Sequence, residues 1–155
     1  MHLVDVNVLM ALGDSNHPHR DAALHFFERV ATVEGWATCP LTENAFIRIF
    51  GSAHYPGGPA STAEARRVLN SFRAAPGHQF WPDELSLTDA STFPNLPASK
   101  HLTDHYLLAL AVHRGARFAT FDQRIDPSHI PGGRSAFYLI PTSTREPDRP
   151  ESQDN

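Results

Sequence analysis

Short apolar strands alternating with amphipathic helices predict an α/β domain whose mostly parallel, five-stranded sheet is covered by helices on both faces. Three observations lead there. Five short runs of four to six residues, HLVDV (2–6), WATC (36–39), QFWP (79–82), ARFATF (116–121) and AFYLI (136–140), read as strands, the first of them buried. The stretches between them carry helical periodicity, as in Ala23, Phe26, Phe27 and Val30, at i, i+3, i+4 and i+7. The chain has 155 residues and is 41% hydrophobic, enough for one domain around a single sheet.

The elements follow in order. After the first strand a helix starts at once, through NVLMAL, and the cluster Gly13-Asp14-Ser15-Asn16 turns the chain. Residues 18–33 (PHRDAALHFFERVATV) form the next helix, and Gly35 ends it. Following the second strand, Leu41 to Phe50 is helical, with Thr42 as N-cap and Gly51 as stop. HYPGGPAS (54–61) is a loop, and Thr62 to Ala75 is a polar amphipathic helix halted by Pro76-Gly77. Residues 83–102 are irregular, with a short helix near 87–92. Thr103 to Arg114 is helical, capped by Thr103 or Asp104 and closed by Gly115. His113 and Arg114 suit the negative end of that helix dipole. The domain occupies residues 1–143. From 144 onward the chain has no apolar residue and reads as a disordered acidic, polar tail.

Composition narrows the classes. No apolar run approaches the ~20 residues of a membrane span, and the N-terminus lacks the basic region and cleavage site of a signal peptide. Cys39 is alone, excludes an internal disulfide and reads as a small buried hydrophobe. A soluble, cytoplasmic protein is expected. Net charge is −4, awkward for a nucleic-acid binder, although twelve of the thirteen basic residues are Arg and only Lys100 is Lys.

Four acids stand at element ends. Asp5 ends the first strand, Asp122 the fourth; Glu43 lies in the first turn of the helix after the second strand, and Asp104 opens the helix leading into the fourth. Open α/β sheets bind ligands beyond the carboxyl ends of their strands. Each acid has an ordinary alternative as a helix cap or turn residue; Asp5, flanked by Val4 and Val6, is the hardest to explain that way. Carboxylates brought together there repel, and a hard cation with oxygen ligands, Mg²⁺ or Mn²⁺, relieves the repulsion. Such a site suits phosphodiester hydrolysis, with Asn7 and Thr120 supporting the acids by hydrogen bonds.

These motifs resemble a known family. DVNVLMAL (5–12), PLTEN (40–44) and LTDHYLLALAVHRGARFATFD (102–122) are similar to the PIN-domain ribonucleases. GWATCPLTENAFIRIF (35–50) and GHQFWPDELSL (77–87) resemble its VapC-type toxin branch. The resemblance spans residues 2–142. It implies a three-layer PIN-like sandwich and a Mg²⁺- or Mn²⁺-dependent endoribonuclease acting on tRNA or rRNA. It further implies a homodimer inhibited by a cognate VapB-type antitoxin. Asp5, Glu43, Asp104 and Asp122 match the family's acidic quartet position by position; the tail matches nothing in it. Setting aside the quartet and the tail, which carries −2, leaves the body about +2. Arg48, Arg114, Arg117 and Arg124 are then candidate phosphate contacts.

Rival readings are weaker. A haloacid-dehalogenase-like phosphatase needs a second acid two residues after the first, where this chain has Asn7. A receiver domain needs paired acids and a late Lys. A histidine metal site would draw on His101 and His105, or His17 and His19, which as a default are exposed histidines. A catalytically silent PIN module that only binds RNA would lose some of the acids, and none is missing. Phe80 and Trp81 are candidates for base stacking, but core packing is the expectation for both, as for Trp36.

Overall fold

The computed structural model describes residues 1–142. The tail expected from 144 onward lies outside the described residues. All five strands are parallel: β1 (His2–Val4), β2 (Trp36–Thr38), β3 (His78–Phe80), β4 (Arg117–Thr120) and β5 (Phe137–Leu139), in the order β3-β2-β1-β4-β5. β1 is central, and the order reverses beside it, between β1 and β4. That is where the fold opens a crevice at the carboxyl ends of its strands.

Successive residues of the inner strands face opposite layers. Val4, Trp36 and Ala119 join one core, with Val8, Leu9, Phe26, Phe46, Phe50 and Leu69. Leu3, Ala37 and Phe118 join the other, with Leu107, Leu108 and Leu110. This period of two explains why the strands read as continuous apolar runs: both faces are buried. The first layer contains α1 (Val6–Gly13), α2 (Arg20–Phe26), α4 (Pro40–Phe50) and α5 (Thr62–Arg73), with the short α3 (Thr32–Glu34) continuing α2. The second holds α6 (Leu102–His113) and α7 (Gly133–Ala136).

Several boundaries differ from the sequence reading. β1 stops at Val4, because Asp5 already serves as the N-cap residue of α1; its carbonyl accepts from the Val8 amide at 3.1 Å. The helix expected over 18–33 contains a π-helical turn at Phe27–Ala31. Thr42 is not the N-cap of α4. Cys39 is, and the Thr42 hydroxyl accepts from the Cys39 amide at 3.0 Å, the reciprocal half of a capping box. Neither Thr103 nor Asp104 caps α6; a 3₁₀ turn at Ser99–His101 leads in, and His101 takes that position. No helix forms at 87–92. Asp89 instead gathers the amide and hydroxyl of Ser91 and the hydroxyl of Thr92 into tight turns.

Two positive-φ glycines set the reversals that aim the strands. Gly35 (φ +87°) sends the chain from α3 into β2, and Gly115 (φ +61°) folds α6 back onto β4. That second reversal makes α6 antiparallel to β4 and brings its N-terminus, with Asp104, to the carboxyl edge of the sheet.

Among the described residues, His2 is the buried polar side chain with no hydrogen bond on either ring nitrogen, while His105 lacks a partner on Nε2 alone. His2, wholly buried in β1, stands edge-on to Phe26 and Tyr138, and neither ring nitrogen has a hydrogen-bond partner. Burial, assisted by the nearby N-terminus, lowers its pKa to about 4. Between the ordinary histidine value and about 4 the unfolded chain therefore binds a proton that the native chain does not, and stability falls as pH falls through that window. Replacing His2→Phe is expected to reduce the stability lost between pH 7 and pH 4.5 by about 1–3 kcal/mol, measured as the difference in urea midpoints. Equal losses in the two proteins would show that His2 is not the group responsible.

Candidate active site

The acids predicted from sequence all lie at the carboxyl edge of the sheet, each with its own partner. Asp5 is 4% exposed. Although it occupies the N-cap position, its side chain does not cap α1. Its Oδ2 accepts from Asn7 Nδ2 at 2.8 Å and from the Thr120 hydroxyl at 2.7 Å. The Val6 and Asn7 amides also face the carboxylate and favour its charged form.

Thr120 and Asn7 are used to capacity. The Thr120 hydroxyl donates to Asp5 and accepts from Asn7 Nδ2 at 2.9 Å and from the Asp122 amide at 3.0 Å. Asn7 gives one amide hydrogen to Asp5 and one to Thr120, while its oxygen accepts from the Phe121 amide at 3.2 Å. The amide orientation follows from that last bond. Both residues thus make the supporting bonds expected of them.

Only neutral donors hold Asp5, so its charge is solvated but not cancelled. Burial raises its pKa to about 6; the Thr120 bond opposes this and the charge of Asp104 adds to it. Asp104 is itself raised, by burial and then by the charge of Asp122, with His101 opposing from 3.8 Å. Asp104 accepts no hydrogen bond among the described residues. Asp122 is the compensated member. Arg124 grips it through Nε at 2.9 Å and Nη2 at 2.8 Å, and the Arg124 amide closes an Asx turn on Oδ1, so its pKa is lowered. The turn reading of Asp122 is therefore part of the truth.

Glu43 stands on the β2 side of the same edge. Thr38, at the end of β2, donates to its Oε1 at 2.6 Å, and Arg73 Nε lies 3.5 Å from that oxygen. Because the Thr38 hydrogen goes to Glu43, the His78 Nε2–H at 2.8 Å must donate to Thr38, which fixes the His78 tautomer. The structure therefore couples Asp5, Asp104 and Asp122 electrostatically, while Glu43 is occupied by Thr38 and Arg73. Among the described residues no three His, Cys, Asp or Glu side chains are drawn into a ready-made metal cluster.

Other candidates divide. Arg124 is at the site. Arg114 is not: it pairs with Glu84 at 2.6 Å and lies over Trp81. Arg117 begins β4 and lies over Tyr138, at the opposite edge of the sheet, so neither serves the crevice. Arg48 is exposed in the last turn of α4, away from Glu43 in the first. Core packing holds for Trp36 and Trp81 but not for Phe80, which is 48% exposed beside Arg73. Arg73 was missed. It sits in the last turn of a polar helix and meets Glu43 only through the packing of α5 on α4, which no local pattern signals.

Comparison with known proteins agrees with the geometry. The PIN domain family model matches residues 2–127. Ribonuclease VapC38 of Mycobacterium tuberculosis (strain ATCC 25618 / H37Rv) is 43% identical over 122 residues, 79% of this chain and 85% of that protein. Ribonuclease VapC44 of Mycobacterium tuberculosis (strain CDC 1551 / Oshkosh) is 39% identical over 133 residues, 84% of this chain and 92% of that protein. The crystal structure of VapBC2 from Rickettsia felis, bound to a DNA fragment from their promoter, shares the fold with a TM-score of 0.57 at 11% identity, covering 89% of this chain and 96% of that one. The chain belongs to the PIN domain family, in its VapC ribonuclease branch.

The hydroxyl at 120 is the testable joint of this site. Thr120→Val keeps the shape and strands the Asp122 amide, one Asn7 hydrogen and the Asp5 carboxylate. It is expected to destabilise the protein by about 1–3 kcal/mol in chemical denaturation, with Thr120→Ser recovering most of the loss. A valine variant as stable as wild type would show that these bonds are not needed.

Proposed function

We propose that this protein is a divalent-metal-dependent endoribonuclease, the toxin of a type II toxin–antitoxin module. The observation that carries the reading is Asp5: a buried carboxylate held only by neutral donors and facing the charge of Asp104. A structural aspartate would be capped or ion-paired; this one keeps an unneutralised charge at the crevice of an α/β sheet.

The donors fit Mg²⁺ or Mn²⁺. They are all hard oxygens, and the two raised carboxyls, Asp5 and Asp104, are the ones a cation would relieve most. Asp5, Asp104 and Asp122 would hold the ion, with Glu43 joining as it leaves Arg73. When bound, the metal supplies an activated water and neutralises charge on the phosphoryl group under attack. The chain does the positioning. Thr120 and Asn7 hold Asp5 by one oxygen, and Arg124 keeps Asp122 ionised. Asn7 spends its whole amide on this scaffold and carries no acidic proton, so the phosphatase alternative lacks its general acid. The silent RNA-binding alternative leaves four intact acids without a purpose.

The substrate class proposed is structured RNA, tRNA or rRNA, whose cleavage stops translation in the cytoplasm. A cognate VapB-type antitoxin as partner and a homodimer as working unit follow from the family. The name of the Rickettsia felis assembly, a VapBC complex, supports the partner. No helix among the described residues is long and apolar enough to cross a membrane. The domain is taken as residues 1–143.

Purified protein is expected to cleave structured RNA with Mn²⁺ or Mg²⁺ and to stop on adding EDTA. Asp104→Asn should lower the rate by at least a hundredfold, on the order of the loss when a charge-stabilising group is removed from an active site. Cleavage that persists in EDTA, with Asp104→Asn fully active, would refute the reading.

A further inference from the structure

Beside the acids, on the α1–β4 flank, lies a shallow, open depression of about 360 Å³ bounded by Asn7, His17, His19, Phe121, Asp122 and Arg124. Two of its walls, Asn7 and Asp122, belong to the site already described, so the depression opens from it. The histidines are built into place. His17 Nδ1 accepts from the His19 amide at 3.1 Å, so in the neutral ring the hydrogen sits on Nε2. The His19 ring stacks on Phe121, with centroids 4.8 Å apart and planes 25° from parallel. Phe121 in turn is tied through its amide to Asn7.

Three side chains bring hydrogen-bond donors to this depression. His17 offers Nε2–H, His19 its ring N–H, and Arg124, 81% exposed at its side chain, its Nη1. Asn7 has no hydrogen left to donate, and Asp122 is matched by Arg124. Converging donors that include a guanidinium, beside a site proposed to act on phosphodiesters, suit an anion of phosphate type.

We propose that this depression is an RNA subsite: it seats a backbone phosphate adjoining the one cleaved, with His17, His19 and Arg124 as its donors. The inference rests on the ribonuclease reading above and adds to it the direction in which the RNA leaves the acids, toward α1 and β4. It also resolves the charge problem locally. An acidic chain holds its substrate with three donors placed next to its carboxylates rather than with a basic face.

The test uses the full-length protein in EDTA, with a fluorescent single-stranded oligoribonucleotide of about ten nucleotides read by anisotropy. His17→Gln/His19→Gln is expected to weaken binding about fivefold or more. Arg124→Gln should weaken it similarly and reduce the slope of log K against log salt by about 0.7, one phosphate contact on a single strand. In the wild type, the imidazole NMR signals of His17 and His19 should shift on adding this RNA while that of the exposed His54 does not. These shifts decide the matter if the double variant fails to fold. Affinity unchanged in the folded variants, or RNA shifts that spare His17 and His19, would overturn the subsite. If that happens while wild type still cleaves RNA with Mn²⁺, the ribonuclease reading stands alone. If wild type does not cleave, both fall.

Discussion

One hydroxyl, that of Thr120, ties together the carboxyl ends of β1 and β4 and the start of α1. It donates to Asp5, accepts from Asn7 and accepts from the Asp122 amide, so all three of its bonding positions are filled. The crevice at this point follows from the strand order, in which β4 returns to the far side of β1. What the order does not decide is where a carboxylate in that crevice will point. Thr120 and Asn7 decide it by putting both of their bonds to Asp5 on a single oxygen.

The same arrangement explains why Asp5 is costly. Its donors are neutral, so they offset desolvation without cancelling charge, and its pKa stays raised at about 6. In the metal-free protein this group lowers stability as pH rises from the ordinary carboxyl value through about 6, opposite in sign to the contribution of His2. Asp122 resolves the same problem differently, through Arg124, and Glu43 through Thr38 and Arg73. The edge therefore holds two carboxyls paired directly with an arginine and two, Asp5 and Asp104, that are not and whose pKa values stay raised. This asymmetry is what the proposed metal site draws on.

Much of the fold was legible because both faces of the sheet are buried. Short apolar-rich runs such as ARFATF around β4 are recognisable from composition, and the alternation of strands with helices implies parallel order. Element ends were less legible. Asp5 looked like part of a strand because Val6 follows it, although Val6 already opens α1. Thr42 looked like an N-cap because threonine is a good one; Cys39 took the place, with Thr42 answering it from inside the helix. Of the site, the acids and their two supports could be read, since an ionisable group in an apolar run stands out. Arg73 could not, since it reaches Glu43 only through helix packing. Phe80 misled, because its neighbour Trp81 turns inward while Phe80 stays at the surface beside Arg73.

The central claim is that Asp5 is kept under charge strain for a metal and not for the fold. Melting wild type and Asp5→Asn at pH 7.5, in EDTA and with increasing Mn²⁺, tests it most directly. Asparagine keeps the shape and the acceptor for Thr120 while removing the charge. On this account the variant melts at or above wild type in EDTA, by about 0.5–2 kcal/mol when converted to stability. It should also lose most of the Mn²⁺-induced shift, because a ligand stabilises the native state only as far as it binds. A variant that melts lower than wild type in EDTA and keeps the full Mn²⁺ shift would show that Asp5 is structural, and would contradict the account.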